Sequence, residues 1–195
     1  CLFDHRHVGA NWSQRGQEVR QHRGWEVKEN YQNCLNLVLI HEGGFVNDPR
    51  DNGGATNKGV TQAVYDAWRV SHGLEARSVK FINDAELGGI YGLNYWARIR
   101  GDDLPAGVDY AVFDFAVNSG VNRASRYLQM VIGVAADGKI GPATIAAIRN
   151  PLAAIGALCD KRLAFLRGLD DFDHFGKGWT SRVNDVAAKA KGMAA

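Results

Sequence analysis

Cysteine is scarce, charge is nearly balanced, and no apolar run is long enough to cross a membrane. The 195 residues hold three cysteines, Cys1, Cys34 and Cys159, which cannot all pair within one chain. They show no metal-ligand spacing either, so composition argues against both a disulfide framework and a metal centre, and no cofactor is implied. Cys34 and Cys159 fall at helix-face positions where a buried, inert thiol is expected. Twenty-three basic against 21 acidic residues leave a formal charge of +2, too weak to argue for nucleic acid and only mildly helpful toward an anionic polymer. Nothing approaches the roughly 18 apolar residues of a membrane span, and no charged-then-apolar leader is visible. A chain of this kind that works outside the cytoplasm needs another carrier.

What is present is enough apolar material, 46% of residues with 10% aromatic, for one sizeable core. Residues 1–33 stand apart: they carry His5, His7, Trp12 and Trp25 without helical or strand period, and read as an accessory or vector-derived arm. From Cys34 onward the pattern is helical. Leu35, Val38, Leu39 and Glu42 recur at helical spacing, so the glutamate continues an apolar stripe that Gly43 and Gly44 then end. The segment from Phe45 to Gly59 suits tight turns and a small hairpin. Thr61 should cap a helix to about Ser71 with Val64, Ala67 and Trp68 inward, and Asn83 or Asp84 should open the next. The stretch VDYAVFDFAVNSG is apolar around most of its circumference, as a helix in the middle of a domain would be. Asn122 opens a further helix to about Gly133, Asp137-Gly138 makes a turn, and Gly141-Pro142 starts a helix. Helices are expected from Pro151 to about Leu169 and from Trp179 to Lys191. The expected fold is mainly α, a helical bundle around a buried central helix with a small β-hairpin lobe after the first helix.

The chemistry concentrates in HEGGFVNDPRDNGGATNKGVT, residues 41–61. A carboxyl on an apolar face at a helix C-terminus is disfavoured as an anion by desolvation and by the helix dipole, so it is suited to hold and donate a proton. Asp51 lies nine positions later among polar groups that favour ionisation. One carboxyl tuned each way is what glycoside hydrolysis requires, with Thr56 able to hold a water. The competing role is structural, with Glu42 ion-paired to an arginine such as Arg98 or Arg162 and Asp48, Asp51 and Thr56 capping turns.

The order Glu-x8-Asp-x4-Thr after an apolar helix is similar to the constellation of phage-type lysozymes. Together with NYWARIRGDDLPAGVDYAVFDFAVNSG and DGKIGPAT, the loop resembles the glycoside hydrolase family 108 N-acetylmuramidases, a group that includes secretion activators and phage-like endolysins. The resemblance runs from about Cys34 to Gly192 and implies an α+β lysozyme-like fold. It implies a peptidoglycan hydrolase, a lysozyme cleaving the β-1,4 bond between N-acetylmuramic acid and N-acetylglucosamine. It places the general acid on Glu42, the second carboxylate on Asp51 and the water-positioning threonine on Thr56, with Asp48 a turn acid. It divides the chain into a catalytic region, 34–133, and a carboxy-terminal peptidoglycan-binding region, 134–195, packed upon it.

For the glycan itself, Tyr95 and Trp96 are candidate sugar plates, with core packing as the alternative. Asn118 and Asp114 are candidate hydrogen-bond partners for the sugar hydroxyls; Asn118 either caps the central helix or faces the cleft, and Asp114 on the same helix needs a partner if buried. The expected partners are bacterial peptidoglycan and a holin or dedicated export system, with action in the periplasm or cell wall. The rival readings are a chitinase- or chitosanase-like glycosidase and a non-catalytic wall-binding or secretion-accessory module.

Overall fold

The computed structural model of the protein describes residues 29–47 and 54–195. Asp48 and Asp51 therefore lie outside the described residues, as do His5, His7, Trp12 and Trp25. The first helix, α1 (Glu29–Leu39), begins five residues before the expected Cys34 and buries Tyr31, Cys34, Leu35 and Val38. It stops before Glu42: His41 and Glu42 donate their backbone N–H to Val38 and Leu39, so the glutamate sits on a closing turn rather than in the helix.

A hairpin follows, pairing β1 (Thr56–Asn57) with β2 (Val60–Thr61), and Val46 bridges to Thr56 on the other side. Lys58 and Gly59 connect the strands with φ of +48° and +75°, the two left-handed positions of a type I′ turn. Thr61 then caps α2 (Gln62–Ser71) by accepting from the Val64 N–H. Of the residues expected inward on α2, Val64 and Trp68 pack half-buried against the core and Ala67 is exposed; the fully buried ones are Tyr65 and Arg69, which a buried carboxylate draws in. That acid is Glu86 in α3 (Asp84–Tyr91), which takes the Tyr65 hydroxyl at 2.8 Å, Arg69 at 2.6 Å and Arg77, and closes a capping box with Asn83. Burial raises its pKa, but the Asn83 backbone, the Tyr65 hydroxyl and the charges of Arg77 and Arg69 more than reverse this and hold it below the ordinary range.

After α3 the chain widens into a π-turn, Gly92–Trp96, whose extra residue splits two adjacent aromatics: Tyr95 stays half-buried beside Tyr91, and Trp96 turns into the core. The central helix α4 (Val108–Ser119) is buried without interruption from Val108 to Ala116. Around it pack α5 (Val121–Val131), α7 (Pro151–Arg167) and α8 (Phe172–Ala194), and the short α6 (Pro142–Ala146) joins α5 to α7. Helix α8 starts seven residues before the expected Trp179, running through Gly176 and Gly178 despite their low helical propensity. Packing decides this: a Cβ on buried Gly176 would lie 2.8 Å from the Phe172 ring. Cys34 and Cys159 are free and buried, their thiols pushed up by burial, Cys159 to about 11.

Asp109, in the first turn of α4, is buried, and burial raises its pKa to about 6 against the bonds it accepts from the Tyr110 and Gly107 backbone and from Asn30. A folded-state value above the ordinary 3.8 gives stability that is present below about pH 4 and lost as pH rises through 6. The gap corresponds to roughly 3 kcal/mol. Asp109→Asn should therefore gain on the wild type by about that much between pH 4 and pH 7, as urea unfolding at the two pH values would show. A difference independent of pH would contradict it.

Candidate active site

Glu42 stands where the hairpin lobe meets the helical body, half-buried, with its two carboxylate oxygens in different surroundings. Oε1 accepts from Arg182 Nη1 at 3.1 Å and Nη2 at 3.0 Å. Oε2 faces the type I′ turn: a methyl added at Gly59 would sit 3.0 Å from it and 2.5 Å from the Tyr91 hydroxyl. Tyr91 in turn donates to the Lys58 carbonyl at 2.9 Å, which pins the turn beside the carboxylate. Only a residue without a side chain fits there, and the positive φ requires the same.

Arg182 comes from α8 and is itself anchored. Its Nε and Nη2 donate to both oxygens of Asp114 on α4, at 2.8 to 3.2 Å, and Arg162 from α7 donates to Asp114 Oδ1 at 2.6 Å. Asp114 is fully buried; burial raises its pKa, and the charges of Arg162 and Arg182 overcome that and hold it below the ordinary aspartate value. One turn along α8, Asp185 accepts from Lys189 at 2.7 Å and lies 3.1 Å from His41 Nε2. These contacts hold its carboxyl below the usual range. The last helix therefore grips both residues of the turn that carries the glutamate.

The sequence-predicted residues separate on this frame. Tyr95 lies beside the site: its ring centre is 5.5 Å from that of Tyr91, and burial followed by the Glu42 charge raises its hydroxyl pKa. Trp96 is 5% exposed, bonded to Asp102 and packed on Tyr31 and Phe113, which leaves it no ring face for a sugar. Asp114 has no solvent-exposed surface and orients Arg182 instead of meeting a ligand. Asn118 is exposed and accepts from the Ser119 hydroxyl, while Gly120 at φ +92° ends the helix, so the side chain is not a cap. Thr56 is half-buried in β1, its backbone exchanging 2.8 Å bonds with Val46. Neither Arg98 nor Arg162 pairs with Glu42; the partner is Arg182.

Sequence reasoning also missed Phe175 and Trp179. With Phe172 and Arg182 they fall at i, i+3, i+7 and i+10, on one face of α8. Phe175 is 53% exposed, and its ring lies over that of Trp179 at 5.9 Å and 29°. Helices α4 and α8 run antiparallel, with Gly107 against Ala190 and Asp114 against Arg182. The i, i+3, i+7 aromatic spacing was the available signal.

Residues 35–120 match the model of glycosyl hydrolase 108, and residues 123–184 match one described as a predicted peptidoglycan domain. A solved structure, SagA of Brucella abortus, is 46% identical, superposes with a TM-score of 0.73, and is aligned over 86% of this chain and 97% of its own. This chain belongs to the glycosyl hydrolase 108 family. No curated protein matches it. This family member is a glycoside hydrolase acting on peptidoglycan, outside the cytoplasm, with a mainly α, lysozyme-like fold. Its two matched segments meet at the site, since Glu42 and Asp114 lie in the first and Arg182 in the second.

Proposed function

We propose that this hydrolase is an N-acetylmuramidase, a lysozyme-type enzyme, with Glu42 as the general acid. The observation that carries the reading is the asymmetry of the Glu42 carboxyl: Oε1 is held by Arg182, and Oε2 is turned toward the Gly59 turn and Tyr91. An anchored carboxyl whose second oxygen accepts no hydrogen bond among the described residues can deliver a proton to a bridging glycosidic oxygen at fixed geometry. In this reading Asp51 is the second carboxylate and Thr56 places the attacking water, with positive charge developing on the sugar ring in the transition state.

Residues 34–133 carry the catalytic groups, and 134–195 is a peptidoglycan-binding region that also completes the active site through Arg182. Tyr95, Asn118, Trp179 and Phe175 face the glycan, and the last two replace Trp96 as the sugar plate. Phe175→Ala, at an exposed position, is expected to raise KM several-fold with kcat unchanged, in line with an aromatic contact used equally by substrate and transition state. An unchanged KM would remove the plate from the reading.

The deciding experiment is mass spectrometry of fragments released from purified peptidoglycan. Muropeptides with reducing N-acetylmuramic acid ends are expected, whereas reducing N-acetylglucosamine ends would make the enzyme a glucosaminidase. Because the substrate lies beyond the cytoplasmic membrane, a holin or dedicated export system is the delivering partner in this reading. Finding the chain in the periplasmic fraction of cells that lack both would exclude it.

A further inference from the structure

At the junction of α4 and α5 a concavity of about 340 Å³ opens, lined by Ser119, Gly120, Asn122, Arg123, Arg126 and Tyr127. Its size is at the lower end of ligand-binding clefts. Helix α7 borders it. Lys161 Nζ lies 5.5 Å from the centre of the Tyr127 ring, the Arg123 guanidinium lies 4.3 Å over Phe165, and the two rings meet edge to face at 6.1 Å. Arg123, Arg126 and Lys161 are thus gathered around two aromatic rings, and none of them pairs with a carboxylate among the described residues. Among the described residues the buried arginines are matched with acids, Arg69 with Glu86 and Arg162 with Asp114. Three unpaired cations beside one concavity repel one another, and an anionic ligand relieves that repulsion.

The concavity also has a defined place relative to the chemistry. It straddles the seam between the two family segments, with Ser119 and Gly120 in the first and Arg123 and Arg126 in the second. Five residues of α4, roughly 7.5 Å of helix, separate Ser119 from Asp114, which holds Arg182 and through it Glu42. An extended peptide of four or five residues reaches about 13–18 Å, enough for that step and the Arg182 side chain beyond it. The polymer cleaved at Glu42 carries peptide branches with free carboxylates and small apolar side chains. Guanidinium groups take carboxylates bidentately, and Tyr127 offers a ring to methyl groups and a hydroxyl to the backbone.

We propose that the Arg123–Arg126–Tyr127 concavity, with Lys161 at its border, binds the stem peptide of peptidoglycan through the peptide's carboxylates. The proposal rests on the muramidase reading for its place beside the cleft, but its test is separable. The intact chain would be titrated calorimetrically with a synthetic free-acid stem tetrapeptide and with the same peptide amidated at every carboxyl. The free acid should bind weakly and in a salt-dependent manner. Amidation, or the exposed double substitution Arg123→Ala/Arg126→Ala, should weaken binding about tenfold or more. Equal binding of the two peptides, unchanged affinity in the double variant, or no binding of the free acid at millimolar concentration would overturn the proposal. On peptide-bearing peptidoglycan the double variant should show a several-fold higher KM, and on glycan stripped of peptides by an amidase it should match the wild type. A wild type that cuts neither polymer would count against the muramidase reading, and the titration would still decide the peptide site.

Discussion

Glu42→Gln should release reducing ends from peptidoglycan at least about 100-fold more slowly than the wild type while remaining folded and able to sediment with the wall. A positioned general acid supplies roughly 10²- to 10⁴-fold, and an amide has no proton of comparable acidity to give a departing sugar oxygen. The substitution is close to isosteric. The amide oxygen can still accept the two Arg182 bonds that now end on Oε1. A charge-assisted pair becomes a neutral one, so the cost in stability should be about 1 kcal/mol, as a shift of the urea midpoint would show. Activity above a tenth of the wild type would reject Glu42 as the acid. Loss of activity together with loss of the cooperative transition would mean that the residue serves folding instead.

The signals that were legible from sequence are those carried by a few neighbouring residues. Thr61 and Asn83 announce their helices because capping is a contact over three positions, and both caps form as expected. The central helix is legible because nine consecutive buried residues leave no polar face. The turn bearing Glu42 is legible through its glycines, and its resemblance to known hydrolases suggests the role proposed for it. What failed depends on distance along the chain. Arg182 lies 140 positions from Glu42, and Asp114 lies 48 and 68 positions from its two arginines, so no local pattern couples them. Asp114 was consequently read as a ligand for sugar, although its burial and its two cationic partners make it a support for Arg182. Tyr95 and Trp96 carry the same local signal, and only the π-turn sends one toward the site and the other into the core. The beginning of α8 lies seven residues before the expected Trp179: Gly176 and Gly178 have low helical propensity, yet at Gly176 the Phe172 ring occupies the space that a Cβ would take.

Asp114→Asn should cost about 3–5 kcal/mol, the largest loss of stability expected of any single substitution in the site. Its carboxylate has no exposed surface and, among the described residues, is the only acid bonded to Arg162, which is itself 2% exposed. Removing one partner of a buried ion pair leaves a charge with neither water nor counter-ion, and the uncompensated charge, more than the lost bond, sets the size of the loss. Arg162 cannot adapt readily, since its buried Nε already has no acceptor among the described residues. The pH dependence should follow. The native pKa of Asp114 is held down, so its contribution is present above the unfolded value near 3.8 and is lost as pH falls through the folded one. The wild type should therefore lose stability in acid more steeply than Asp114→Asn. Adding Arg162→Met to Asp114→Asn removes the stranded guanidinium and should recover part of the stability, with a non-additive coupling of about 1 kcal/mol or more. It should not recover hydrolysis, because Arg182 would still lack the two-oxygen anchor that fixes its grip on Glu42. A double variant that regained full activity would show that Arg182 needs no support from Asp114, and a cost below about 1 kcal/mol for Asp114→Asn would show that the cluster is not a buried charge network at all.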